Sequence, residues 1–252
     1  MATLQANIFS NSLNRQVAIN AIIPIGGEKP LKTLYLLHGI FGNYMDWLTC
    51  TRIAFWAEER NLAVIMPSAD NSFYVDNKKA GAMYGEFFGR ELVDITRELF
   101  PLSDKCEDTF IGGLSMGGFG AIRTGLKYHK TFGAIAGLSS ALITEDAVVS
   151  SEGTPTLIGR RSYFESVFGD LDKLLDSYNN PKWLVRDLKE KGADFPKIYL
   201  CCGTDDFLIA QNRDFDKFLD EENVKHTYVE GAGEHTWAFW DEYILKVLEW
   251  LL

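Results

Sequence analysis

Short, nearly all-apolar runs alternate along this chain with longer stretches of helical period, and no other feature narrows its fold as far. The runs cover 17–23, 33–37, 63–66, 109–113, 134–138, 197–201 and 225–229; the helical stretches cover 47–60, 87–99, 116–128, 213–222 and 238–252. A strand that is apolar on both alternating sides has to be covered on both faces, the condition of a parallel sheet between two helical layers. The alternation therefore predicts an α/β fold with a mostly parallel central sheet and helices on both faces. Run 17–23 differs, setting Val17, Ile19 and Ala21 on one side as an antiparallel edge strand does. Pro101 stands just beyond 87–99, where a helix has to stop.

No repeat, low-complexity tract or linker divides the 252 residues, so 1–252 reads as one domain. Segment 139–196 is too long for a simple crossover and holds only weak helical pieces near 163–168 and 171–177. It reads as an excursion over the top of the sheet, where a lid sits.

Asp and Glu outnumber Lys and Arg by 35 to 25, a net charge of −10. Such a surface repels phosphate backbones and anionic lipid, which argues against nucleic-acid and membrane-surface partners. No run of about 18 apolar residues could span a bilayer, and the first residues lack the basic and apolar regions of a secretory leader. The four cysteines, at 50, 106, 201 and 202, have no metal-ligand spacing and read as reduced thiols, so a cytoplasmic protein is expected.

The chemistry concentrates in FIGGLSMGGFG, 110–120. Gly113, Ser115 and Gly117 fit G-x-S-x-G directly after a predicted strand and directly before a predicted helix, the context that exposes a serine hydroxyl on a sharp turn. That hydroxyl needs an imidazole to take its proton. His129 sits at a helix end and His226 within a strand, while His38 opens a loop. His235 lies in GAGEHTW, a glycine-rich loop between the last strand and last helix, and is the expected base. On sheets of this kind the acid falls between serine and histidine in the chain. Asp206, in GTDD directly after run 197–201, is the first choice and Asp205 the second, the other of the pair capping the following turn.

Developing negative charge requires donors. The backbone N–H of Met116, at a helix start, is one. The loop HGIFG, 38–42, should supply another from Ile40, or else from Phe41, with His38 fixing the loop. Trp47 and Trp237, with Phe41, Phe207 and Tyr84, are the candidate substrate-binding walls. Leu92, Ile95 and Leu99 form a core stripe, and Arg90 and Glu91 read as a solvated face.

Taken together, LLHGIFGNYMDW, GLSMGGFGA, CGTDDFLI and GEHTWAFW resemble the α/β-hydrolase esterases of the esterase D and S-formylglutathione hydrolase group. The nearest likeness is to bacterial tributyrin-type esterases and feruloyl or acetyl-xylan esterase modules. The resemblance runs from about residue 17 to 252, with the motifs in family order. It implies Ser115, Asp206 and His235 as the catalytic triad and Ile40 and Met116 as oxyanion donors, with no cofactor and no metal. The expected function is a serine carboxylesterase cleaving short-chain acyl or aryl esters, small-molecule substrates, through an acyl-enzyme. Feruloyl or acetyl-xylan esterase and S-formylglutathione thioesterase are the alternatives, followed by acyl transfer to an alcohol and, outside catalysis, a silent hydrolase fold used for binding. One departure weighs against the glutathione thioester: its hydrolases carry a loop with cysteine and threonine after HG, where this chain reads IFGNYMDW. Numerous aromatic residues make self-association into a homo-oligomer an expectation.

Overall fold

The computed structural model describes residues 1–252 apart from the side chain of Leu157. Its strands are β1 (Ala2–Ser10), β2 (Arg15–Ile23), β3 (Lys32–Leu37), β4 (Leu62–Pro67), the short pair β5 (Asp76–Asn77) and β6 (Ala82–Met83), β7 (Thr109–Leu114), β8 (Ala134–Leu138), β9 (Lys197–Gly203) and β10 (Thr227–Gly231). An eight-stranded sheet has the order β1-β2-β4-β3-β7-β8-β9-β10. Contacts from β4 to β10 are parallel, and the hairpin β1–β2 joins antiparallel at one end. The alternation of apolar runs thus led to the right architecture, and β4, β7 and β8 are buried along their whole length. Strand 17–23 is antiparallel as expected but not the edge. That place belongs to β1, whose ATLQANIFS shows mostly exposed side chains and so lacks an apolar run.

The helices cover both faces. α1 (Asp46–Cys50) and α2 (Ile53–Glu59) share one side with the C-terminal α10 (Trp237–Leu251), where Trp47, Trp56, Trp240 and Ile244 join one core. Stretch 47–60 is not one helix, because Thr51 is extended at φ −137°, ψ 170° and its hydroxyl accepts from the Ile53 N–H at 3.3 Å. On the opposite side lie α3 (Tyr84–Glu86), a π-helical turn Phe87–Glu91, α4 (Leu92–Leu99), α5 (Met116–Lys127) and α9 (Ile209–Glu221), which begins four residues before the expected 213. Leu92 is buried as expected, whereas Leu99 is 55% exposed.

Glu91 is no solvated residue. It ends the π turn and its carboxylate accepts from Ser10 Oγ (2.7 Å), Asn11 N–H (2.6 Å) and Ser12 N–H (3.1 Å), closing the β1–β2 turn. Burial works against its charge, but these hydrogen bonds outweigh burial and hold the carboxyl below its ordinary range.

Between β8 and β9 the excursion carries α6 (Thr144–Val148), α7 (Arg161–Phe168) and α8 (Pro181–Glu190). Asn180 caps α8 by accepting from the Lys182 N–H, with Pro181 at the first helical position. The excursion is rooted in the main core, since Phe168 packs on Phe73 and Phe119 with ring centroids 5.4 and 6.0 Å apart. A buried polar post adds to this. Arg123 of α5, fully buried, donates to Tyr178 O and Asn179 Oδ1 (3.2 Å each) and lies 3.5 Å from Asp76, which Lys127 also reaches at 3.0 Å. No helix among the described residues is long and apolar enough to cross a membrane.

Candidate active site

Ser115 ends β7 and begins α5 with φ 54° and ψ −119°, a left-handed conformation that side chains rarely adopt. The strand neighbours over-determine it: the Ser115 N–H donates to Leu138 O (2.9 Å), and Ser115 O accepts from the Phe119 and Ala141 N–H groups (3.1 and 2.9 Å). Gly117 is required here because a Cβ would run into the Leu37 and His38 carbonyls.

At the same edge of the sheet, β9 delivers Asp206 and β10 delivers His235. The two loops are stitched by backbone hydrogen bonds from Thr204 N–H to Gly231 O (2.8 Å) and from Asp205 N–H to Gly233 O (3.0 Å). A Cβ on Gly203 would strike the Gly233 carbonyl, so only glycine lets the loops close. His235 Nδ1 lies 2.9 and 3.1 Å from the two carboxylate oxygens of Asp206. A carboxylate only accepts, so Nδ1 is the donor to Asp206 and Nε2 is the ring nitrogen turned away from it. Asp206 is 2% exposed. Burial pushes its carboxyl up, but hydrogen bonds from His235, the Leu208 N–H and Ser139 prevail and hold it below the ordinary carboxylate range. Asp205 is exposed and accepts from the Thr204 hydroxyl at 3.2 Å. It caps nothing; Asp206 itself receives the Leu208 N–H, at 2.8 Å.

Ser115 and His235 line one cleft of about 420 Å³ together with Gly39, Ile40, Asp46, Leu114, Thr236, Trp237 and Trp240. Neither Ser115 Oγ nor His235 Nε2 has a hydrogen-bond partner among the described residues, and both stand at this cleft. The Ile40 and Met116 N–H groups are likewise unpaired among the described residues. The alternative donor, Phe41 N–H, is spent on Asn71 Oδ1 at 2.8 Å. Asn71 in turn accepts at its backbone carbonyl from Tyr163 of α7 at 3.0 Å, so the excursion supports the oxyanion loop. His38 fixes the loop as expected: Nε2 accepts from the Ala69 N–H (2.9 Å) and Nδ1 donates to Gly39 O (2.7 Å).

The expected pocket walls fare unequally. Trp237 lines the cleft, but Trp47 is 1% exposed, donates to Leu37 O and backs Trp237 edge-on at 5.4 Å. The Trp47 indole thus stands behind the wall of the cleft and not on it. Phe41 is 71% exposed and stands outside the lining residues. Phe207, 74% exposed, lies over the His235 ring at 4.5 Å. Tyr84 belongs to a separate pocket with Asp70, Asn71 and Ser166. Sequence reasoning missed Ser139, whose hydroxyl accepts from Trp240 Nε1 (3.1 Å) and helps hold the Asp206 carboxyl down. Its only signal is its place at the end of the strand beside Ser115. Burial, and then the charge of Asp206, pushes the nearby Cys202 thiol up to about 12, so that it stays protonated.

Comparison with known proteins gives the family. The Esterase family model matches residues 10–251. The chain belongs to the Esterase family. An acetyl esterase of Caldicellulosiruptor saccharolyticus is 44% identical over 263 residues, covering 100% of this chain and 98% of that protein. A substrate-bound fluorophosphonate-binding serine hydrolase of Staphylococcus aureus superposes with a TM-score of 0.89 at 29% identity, over 99% of this chain and 98% of that one. An S-formylglutathione hydrolase of the same organism gives 0.87 at 30%, with the same coverage. The esterase is thus a carboxylic ester hydrolase with the α/β-hydrolase fold.

Proposed function

We propose that the chain is a serine carboxylesterase acting on short-chain acyl esters, acetyl esters foremost, with Ser115 as nucleophile, His235 as general base and Asp206 as its orienting acid. One observation carries this reading: an imidazole pinned through Nδ1 to a buried carboxylate presents its free Nε2 to the cleft that holds the Ser115 hydroxyl. Ser115 Oγ attacks the ester carbonyl while its proton passes to Nε2. The unpaired Ile40 and Met116 N–H groups receive the oxyanion. Collapse expels the alcohol, which takes the proton from His235, and water then repeats the sequence to release the acid. The Ser115–His235 hydrogen bond closes on the bound ester, as catalytic hydrogen bonds often do.

The acetyl preference draws on the 44% identical acetyl esterase. The S-formylglutathione hydrolase at 30% identity favours a thioester as the second reading. A cytoplasmic location rests on the four cysteines lying as free thiols. Ser115→Ala should keep its circular-dichroism spectrum while p-nitrophenyl acetate hydrolysis falls about 10⁴-fold or more. Turnover like that of the unaltered protein would end the assignment.

A further inference from the structure

Asp46 is the one ionisable side chain other than His235 on the wall of the Ser115 cleft. Its carboxylate has neither a hydrogen bond nor an ion pair among the described residues. It packs against the turn that carries Ile40, so closely that a Cβ on Gly42 would collide with it. Most other acidic side chains near the site are engaged: Asp206 holds His235, and Asp241 on α10 binds Arg52 at 2.7 Å. A carboxylate without a hydrogen-bond or ion-pair partner, on the wall of the cleft that holds Ser115, brings negative charge to that cleft, and the two cleft tryptophans bring no positive charge to offset it.

We propose, on the esterase reading above, that Asp46 is a specificity-determining residue that turns anionic esters away and confines the substrate to esters uncharged or cationic near the carbonyl. A substrate carboxylate entering this cleft meets a like charge at short range, where water and salt screen it less than at the open surface. The class excluded includes thioesters of glutathione, which carry their own carboxylates, and half-esters of dicarboxylic acids. The class admitted includes acetyl esters of neutral alcohols and sugars, whose hydroxyls can donate to the free Asp46 oxygens.

The test compares kcat/KM for p-nitrophenyl acetate and for mono-4-nitrophenyl succinate, whose acyl group bears a carboxylate. For Asp46→Asn and Asp46→Ser, the succinate-to-acetate ratio should rise about five- to tenfold over the unaltered protein at low ionic strength. Glu98→Gln, which removes an equal charge from an exposed site on α4, should leave the ratio within about twofold. A ratio unmoved in both Asp46 variants, or moved equally by Glu98→Gln, would overturn the charge filter and leave the esterase reading intact. Failure of the unaltered protein to hydrolyse either ester, or to react with a fluorophosphonate, would overturn the esterase reading and the filter with it.

Discussion

At the scale of single residues, the site depends on side chains held by backbone, and on backbone held by side chains. Ser115 keeps a left-handed φ because Leu138 and Ala141 pin it on both sides. Asn71 does the converse, gripping the Phe41 N–H, and Phe41 too has a left-handed φ of 65°. On the oxyanion role proposed for Ile40, removing that grip lets the turn relax and carries the Ile40 N–H off its aim. Asn71→Ala should therefore lower kcat about tenfold or more with little change in KM, since the lost contact serves the transition state. Asn71→Asp keeps the acceptor and should recover most of the rate. Equal kcat in both variants and the unaltered protein would remove Asn71 from the machinery. That Ser115, Asp206 and His235 meet at one edge of the sheet could be read from residue types and spacing, because each follows a strand whose end the apolar runs locate. Asn71, Ser139 and the burial of Trp47 could not, since they depend on which loops meet in space.

At the scale of elements, β1, the outer strand of the antiparallel hairpin, is the part the apolar pattern did not reveal. A strand with one face in water has few apolar residues to announce it, and here a distant carboxylate completes its turn. Glu91 holds three donors of that turn with its charged form. Its folded-state carboxyl titrates below the unfolded one, so its stabilisation is present above the unfolded carboxylate range and is lost as pH falls through the folded value. Glu91→Gln should thus cost about 1–3 kcal/mol near pH 7, read as a lower Tm. The gap between the two proteins should narrow steadily as the pH is taken below about 4. A gap that persists in acid would assign the effect to shape rather than charge. The broken helix at Thr51 teaches the same lesson, because a threonine that caps a second helix looks in sequence like one more helical position.

Across the whole molecule, the excursion and the main body are joined by one buried charged post. Arg123 has no water to fall back on if Asp76 is lost, and burial already lowers its affinity for a proton. Asp76→Ala should destabilise the fold by about 3–5 kcal/mol, as breaking a buried pair from one side does. Differential scanning calorimetry would register this, and a Tm within about 2 °C of the unaltered protein would show the post to be dispensable. The sheet and its layers were legible because apolar period is a property of each segment alone. The post was not, since Asp76, Arg123 and Asn179 are joined only by the fold.

The strand order also has a bearing on how the protein is made. The turn bearing Ser115 leaves the ribosome about 120 residues ahead of the loop bearing His235. If Ser115 and His235 act as proposed, a nascent chain carries a hydroxyl with no proton acceptor beside it and stays chemically mute. On the triad proposed above, hydrolytic power comes only with the docking of β10 against β9, the step that sets His235 beside Asp206.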